Sequence, residues 1–327
     1  MIKNFIFLYI YMSINMLGVA NEDSLIWNSL KKEFGQKLIP FVDHDNKNLP
    51  NFIIALTGQS NAEGYGTSYD PNNSFDQPNE RIFGWNPSLQ KWEIADLRTE
   101  SLGYNYDTFK QSGTQCSAFH FAKRLIEAYP NIRPGIINIG VSGASIGFWT
   151  NWLPSDKYYN FTINRLSWYE GKNTFPDYKT RPQGYIFDVH IYHIQLALEK
   201  LPKYNRKVNV ICWDQGETDP ELDFFKSSLD QVIKRYISTL NNLGYYQSSM
   251  FGFLAVSTTG MLYQNSNKVN DVLVQLSKDG IPFTKYIDAS DLPVSTQNGF
   301  VDMYHFNSQA QRIIGTEFFR QYRNIFV

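Results

Sequence analysis

The sequence predicts an α/β fold, a three-layer α/β/α sandwich on a five-stranded parallel sheet. Two observations predict it. Five short apolar runs, bounded by turn residues, alternate with longer segments whose apolar residues recur at helical spacing. The runs are also apolar throughout rather than alternately polar, so both faces of the sheet must be covered, as in a parallel sheet with helical crossovers.

The elements follow in order. Asn51–Gly58 (NFIIALTG) is the first buried strand. Ser117–Tyr129 is a helix stopped by Pro130, because proline cannot continue the helical hydrogen bonding. Residues 135–141 (GIINIGV) form the second strand, and residues 188–201 a helix ended before Pro202. Residues 208–213 (VNVICW) are the third strand. Leu222–Gly244 is a long amphipathic helix with a glycine at its C-terminal end. Residues 250–257 form the fourth strand, Lys268–Lys278 a helix, Phe283–Ser290 the fifth strand and Asn307–Arg323 the closing helix. Residues 63–116 and 148–186 lack strong periodicity and are rich in Asn, Tyr, Trp, Gly and Pro. They are expected to wall the site.

The chain divides into residues 1–20, 21–50 and 51–327. The first has Lys3, an apolar run from Phe5 to Ala20 and small residues in Gly18-Val19-Ala20, which predicts a cleaved signal peptide. The run is short for a membrane span and is interrupted by Ser13 and Asn15. A mature protein starting near Asn21, secreted or periplasmic and without a membrane span, is expected. Residues 21–50 are a lead segment with an amphipathic piece at Leu25–Phe34, and the catalytic domain is expected over 51–327.

With 30 basic and 31 acidic residues the net charge is -1, so no basic field exists to attract nucleic acid. The high aromatic content, 16%, fits AT-rich codon usage and core filling first, and a sugar-stacking surface second. Cys116 and Cys212 are the two cysteines. Export permits a bridge between them, but Cys212 lies in an apolar strand and a buried free thiol is the expectation. No Cys or His spacing suits a metal, and no cofactor is expected. His190 and His193 lie one helical turn apart without an evident third ligand, so a solvated or half-buried helix face is expected. His120 is expected to pack in the core and His44 to be exposed.

Ligands of such sheets bind beyond the carboxyl ends of the strands, and four segments there carry chemistry. Gly58-Gln59-Ser60-Asn61 puts a serine hydroxyl and its free N–H on a strand-to-helix turn. Gly140–Ser145 (GVSGAS) lets the backbone approach a substrate, with the Gly143 N–H a candidate oxyanion donor. Trp213–Asp219 (WDQGETD) offers the Gln215 amide as a third donor, with Glu217 and Asp219 able to position other groups. Acidic residues also suit a helix start there. Asp302-Met303-Tyr304-His305 supplies a base, His305, and a carboxylate, Asp302, that can fix its tautomer.

GQSN near the start, a Gly-Ser block followed by Trp149, WDQGE in the middle and DxxH near the end occur in that order. The set resembles the SGNH-hydrolase superfamily, whose fold is flavodoxin-like, and within it the sialate O-acetylesterase-like and carbohydrate esterase family 6 (acetylxylan esterase) branch. The resemblance spans about residues 51–318. It implies Ser60 as nucleophile, Asp302 and His305 as its partners, and Ser60, Gly143 and Gln215 as oxyanion donors. Gln59, Asn61 and Glu217 support the site. It also implies metal-free O-deacetylation of an acetylated carbohydrate, either a polysaccharide or sialic acid. Two positions depart from the branch: Asp214 where it usually has His before QGE, and Ser142-Gly143-Ala144 where it usually has Gly-Gly-Thr. A lipid or thioester acyl hydrolase on the same fold, and a non-catalytic carbohydrate-binding protein, are the alternative expectations.

Overall fold

The computed structural model describes residues 48–87, 89–98, 115–150, 184–219, 224–248, 251–259, 268–278, 284–297 and 299–326. The predicted signal, nearly all of the lead segment, His44, residues 99–114 of the first long loop and residues 151–183 of the second lie outside these residues.

The five predicted strands are β1 (Phe52–Gly58), β4 (Pro134–Gly140), β5 (Val210–Asp214), β6 (Gly252–Val256) and β7 (Thr284–Ile287). They lie side by side, all parallel, in the order β4-β1-β5-β6-β7. The first strand is therefore central, and the chain reverses its direction of winding between β1's two neighbours. In such sheets a crevice opens where the order reverses, at the strands' carboxyl ends.

The sheet has seven strands rather than the predicted five. β2 (Phe83–Asn86) pairs parallel with β4, and β3 (Lys91–Ile94) pairs antiparallel with β2 to close the edge. Each is only four residues long, too short to show periodicity. β3 carries Lys91 and Glu93 on a solvated edge, where charge discourages further pairing. A separate hairpin, β8 (Val294–Gln297) and β9 (Phe300–Phe306), precedes the last helix.

Six helices complete the described fold: α1 (Ser60–Glu63), α2 (Ser117–Ala128), α3 (Tyr185–Glu199), α4 (Phe225–Asn242), α5 (Lys268–Lys278) and α6 (Ser308–Phe326). Successive β1 side chains point to opposite faces. Ile53 and Ala55 join the core built with Ile194 of α3, Leu229 and Ile233 of α4, and Leu273 of α5. On the other face Phe52 meets Phe121 of α2 and Tyr322 of α6, with ring centroids 6.4 and 5.3 Å apart. Burying one such phenylalanine is worth about 1.5–3 kcal/mol, so both layers anchor the central strand. Trp149 belongs to this interior: it is fully buried, 5.2 Å from Trp213, and its indole donates to Thr57 Oγ1 at 3.1 Å.

Both cysteines are buried free thiols. His120 packs in the core as expected, near Phe75, and bonds Gln115 at 3.1 Å. The expectation for His190 and His193 needs correction, since both are buried. α3 lies against the sheet and α4, where Tyr236 bonds His190 Nδ1 at 2.7 Å and the Trp85 indole donates to His193 Nδ1 at 3.4 Å. Among the described residues no group of three metal-binding side chains occurs, and no helix is long and apolar enough to cross a membrane.

Candidate active site

β1 ends at Gly58, whose φ of +150° and contact with β5 admit no side chain. A Cβ there would lie 1.9 Å from the Asp214 carbonyl oxygen. The Gln59 N–H donates to that same oxygen at 2.9 Å. The chain then turns at once into α1, so Ser60 sits at the carboxyl edge of the central strand.

The fourth block arrives from the hairpin. Asp302 and His305 lie on β9, which comes back over this edge before Ser308 starts α6. His305 Nε2 is 2.9 Å from Ser60 Oγ, and His305 Nδ1 is 2.7 Å from Asp302 Oδ2. Burial lowers the His305 pKa, and the hydrogen bond and charge of Asp302 oppose this without cancelling it. A neutral imidazole with Nδ1–H facing the carboxylate leaves a lone pair at Nε2 for the serine proton.

The hairpin was not anticipated, although it had a signal. Asn298-Gly299 stands between two strand-like runs, and Gly299 takes a φ of +81°, the left-handed conformation of a tight hairpin turn.

The second block brings Gly143 to the same edge. Its φ is +69°, and a Cβ there would meet nothing within 4 Å, so the backbone faces open space. Among the described residues the N–H groups of Ser60 and Gly143 make no hydrogen bond. Both are therefore available to a ligand atom.

The blocks brace one another. Glu63 of α1 accepts the Ser142 N–H at 2.9 Å and the Ser142 hydroxyl; its role was missed in the sequence. Asp219 accepts the Ile146 N–H at 2.7 Å. Gln59 Oε1 faces the N–H groups of Gly216 and Thr218 at 3.4 and 3.3 Å. Asn61 donates to Glu217 and to the Tyr304 carbonyl at 3.0 Å, and accepts the Phe306 N–H at 3.0 Å. The three residues expected to support the site, Gln59, Asn61 and Glu217, thus link the first block to the third and fourth.

Gln215, expected as an oxyanion donor, is bonded within the protein. Its amide nitrogen donates to the Ala144 carbonyl at 3.2 Å and to Asp219, and lies 3.4 Å from Gln59 Oε1. An amide has two N–H bonds, and both have acceptors within the protein. In this arrangement Gln215 fixes the residue next to Gly143 rather than facing an oxyanion.

Asp214 and Glu217 are both buried behind Ser60. Burial, and then the Glu217 charge, push the Asp214 carboxyl well above the ordinary carboxylate range. Burial raises Glu217 to about 7, against opposing hydrogen bonds from its own N–H, Asn61 and Gly216.

A family model for carbohydrate esterases described as sialic acid-specific acetylesterases matches residues 50–324. The chain belongs to this family. The family places it among the carbohydrate acetylesterases, which are carboxylic ester hydrolases. The acetylesterase chain resembles three solved structures in fold. A protein from Arabidopsis thaliana is 19% identical at a TM-score of 0.58, with 85% of this chain and 100% of that one covered. NanS is 17% identical at 0.55, with 84% and 98% covered. A carbohydrate acetylesterase from Xanthomonas citri is 15% identical at 0.50, with 84% and 56% covered. A search of curated proteins finds no sequence match.

Proposed function

We propose that this acetylesterase removes O-acetyl groups from carbohydrates through a Ser60–His305–Asp302 triad and an acetyl-enzyme. The reading rests above all on the line of contacts from Asp302 through His305 to Ser60, at 2.7 and 2.9 Å.

Ser60 Oγ attacks the acetyl carbonyl carbon while His305 Nε2 takes the hydroxyl proton. Asp302 steadies the resulting imidazolium without itself taking the proton. The N–H groups of Ser60 and Gly143 receive the oxyanion, each such donor being worth about 3 kcal/mol at the transition state. Collapse breaks the bond to the sugar oxygen, which leaves as the alcohol with the proton from His305. Water then attacks acetyl-Ser60, again giving its proton to His305, and acetate departs with the Ser60 hydroxyl restored.

Aromatic side chains beside the base favour a sugar over a long acyl chain. The Tyr65 ring lies 4.4 Å from the His305 ring, and Tyr304 is about half exposed next to it. Such rings stack on the apolar faces of pyranoses. The family description supports sialic acid or another acetylated carbohydrate as substrate. The composition of residues 1–20 supports export with cleavage near Asn21, and sequencing the mature N-terminus tests it.

The deciding experiment is hydrolysis of p-nitrophenyl acetate by the wild type beside Ser60→Ala, followed by acetylated sialic acid and acetylxylan. Loss of activity in the variant and trapping of an acetyl group on Ser60 are expected. Equal rates in both would remove Ser60. A folded, inactive wild type that still binds sugar would make the protein a carbohydrate-binding module. Faster octanoyl than acetyl hydrolysis would favour a lipid or thioester substrate.

A further inference from the structure

Behind the nucleophile, both carboxylate oxygens of Asp214 and Oε2 of Glu217 are buried and accept no hydrogen bond. Asp214 is 1% exposed and Glu217 5%. An ionised carboxylate without donors is very costly to bury, so the arrangement must be explained by where protons sit.

The donors are distributed unequally. Asn61 donates to Glu217 Oε1, and the N–H groups of Gly216 and Glu217 also favour its charged form. Among the described residues nothing donates to the Asp214 carboxyl oxygens. Among the described residues no lysine or arginine appears among the charges acting on either carboxyl. The titratable groups that face the pair are Asp219, on the same loop, and Cys212, two residues back on β5. From α1, the neutral Asn61 amide reaches Glu217.

We propose that Asp214 is held as a neutral carboxylic acid and that, by leaving the pair's negative charge on Glu217, it is a positioning residue for the Ser60–His305 contact. The link runs through Asn61. A charged acceptor makes roughly twice as strong a hydrogen bond as a neutral one, so ionised Glu217 grips the Asn61 amide. Asn61 in turn holds the carbonyl of Tyr304 and the N–H of Phe306, the two residues flanking His305. Its own carbonyl accepts from Gln311 of α6 at 3.0 Å. The Asp214 backbone is already locked to the turn before Ser60, through Gln59. If Asp214 ionised as well, two like charges would stand close together in a low-dielectric site, and relief would come by Glu217 moving off Asn61.

This inference rests on the esterase reading, and the test separates the two. The kcat for p-nitrophenyl acetate is measured from about pH 6 to about pH 10 for the full-length wild type and Asp214→Asn. The asparagine is isosteric and neutral at every pH. It is expected to keep kcat within about threefold at neutral pH while abolishing a fall on the alkaline side. A neutral-pH loss above about tenfold in a folded variant, or the same alkaline fall in both proteins, overturns the proposal. A second readout needs neither activity nor a folded variant. Infrared spectra of wild type labelled with carbon-13 aspartate are expected to show a protonated aspartic acid at mildly alkaline pH. Its absence overturns the proposal. An inactive wild type sinks the esterase reading, whereas an active one lacking that band sinks this inference alone.

Discussion

Glu63 holds Ser142 by both of its carboxylate oxygens, one taking the backbone N–H at 2.9 Å and the other the hydroxyl. The helix that begins with the nucleophile therefore sets the position of the loop that carries Gly143. Neither Glu63 nor Ser142 needs to touch a substrate for this to matter, because an oxyanion donor acts only within hydrogen-bond range of the atom that becomes charged. Glu63→Ala is expected to lower kcat about tenfold to a hundredfold, with a smaller change in KM for a small acetyl ester. Steady-state kinetics check it, and an unchanged kcat would free the Gly143 loop from this brace.

The acid limb of activity reports His305. Its pKa is lowered by burial, and Asp302 pulls in the opposite direction. Only the neutral ring accepts the serine proton, so the His305 step of the profile rises with pH through a midpoint lying below the ordinary histidine value of 6.5. Asp302→Asn removes the raising influence, so the midpoint moves to lower pH. At the same time kcat drops by about a thousandfold or more, since the tautomer is no longer fixed. The kcat profile across pH for both proteins tests this, and a midpoint that moves up in the variant would contradict it.

Gln215 offers a test of placement. With its amide committed to Ala144 and Asp219, Gln215→Ala should loosen the Gly143 loop and leave the buried Asp219 with one donor fewer. The expected result is a lowered Tm together with a loss of kcat, because a buried hydrogen-bonded acceptor left short costs about 1–3 kcal/mol. A Tm equal to wild type with kcat down about a hundredfold would return Gln215 to the oxyanion.

The core of the sheet was legible because β1, β4, β5 and β6 are buried on both faces and so read as continuous apolar runs, while the edge strand β7 leaves Lys285 and Tyr286 half-buried. The same rule hides β2 and β3, which are short, with β3 half in water. The nucleophile and base could be named from spacing alone, Ser60 at a strand end and His305 with Asp302 three residues back. That they meet depends on the hairpin folding over the sheet, a contact between residues 245 apart in the chain. The braces were the least legible. Glu63 reads as an ordinary polar helix residue, and Asp214 as one more acid at a helix start. Only burial reveals that one fixes Ser142 and that the other has no donor.

Acid stability should be set by histidines outside the site. Burial lowers His120 and His190 to about 3 and His193 to about 4, against 6.5 in the unfolded chain. Between those values the unfolded chain binds more protons than the folded one, so stability is full above pH 6.5 and is lost as pH falls toward 4 and 3. Glu217, raised to about 7, and Asp214, raised well above the ordinary carboxylate range, work in the opposite sense and offset part of the histidine contribution over this range. The net slope of the wild type is thus a sum of opposed terms, and a difference between proteins isolates one of them. His190→Asn loses the full imidazole contact with Tyr236 and is expected to be less stable than wild type at neutral pH. It has no proton to take up, so the wild type approaches it by at most about 1.4 kcal/mol per pH unit on acidification. Urea unfolding of both proteins from neutral to acid pH measures the gap, and a gap that stays constant or widens would show that His190 is not held neutral by burial.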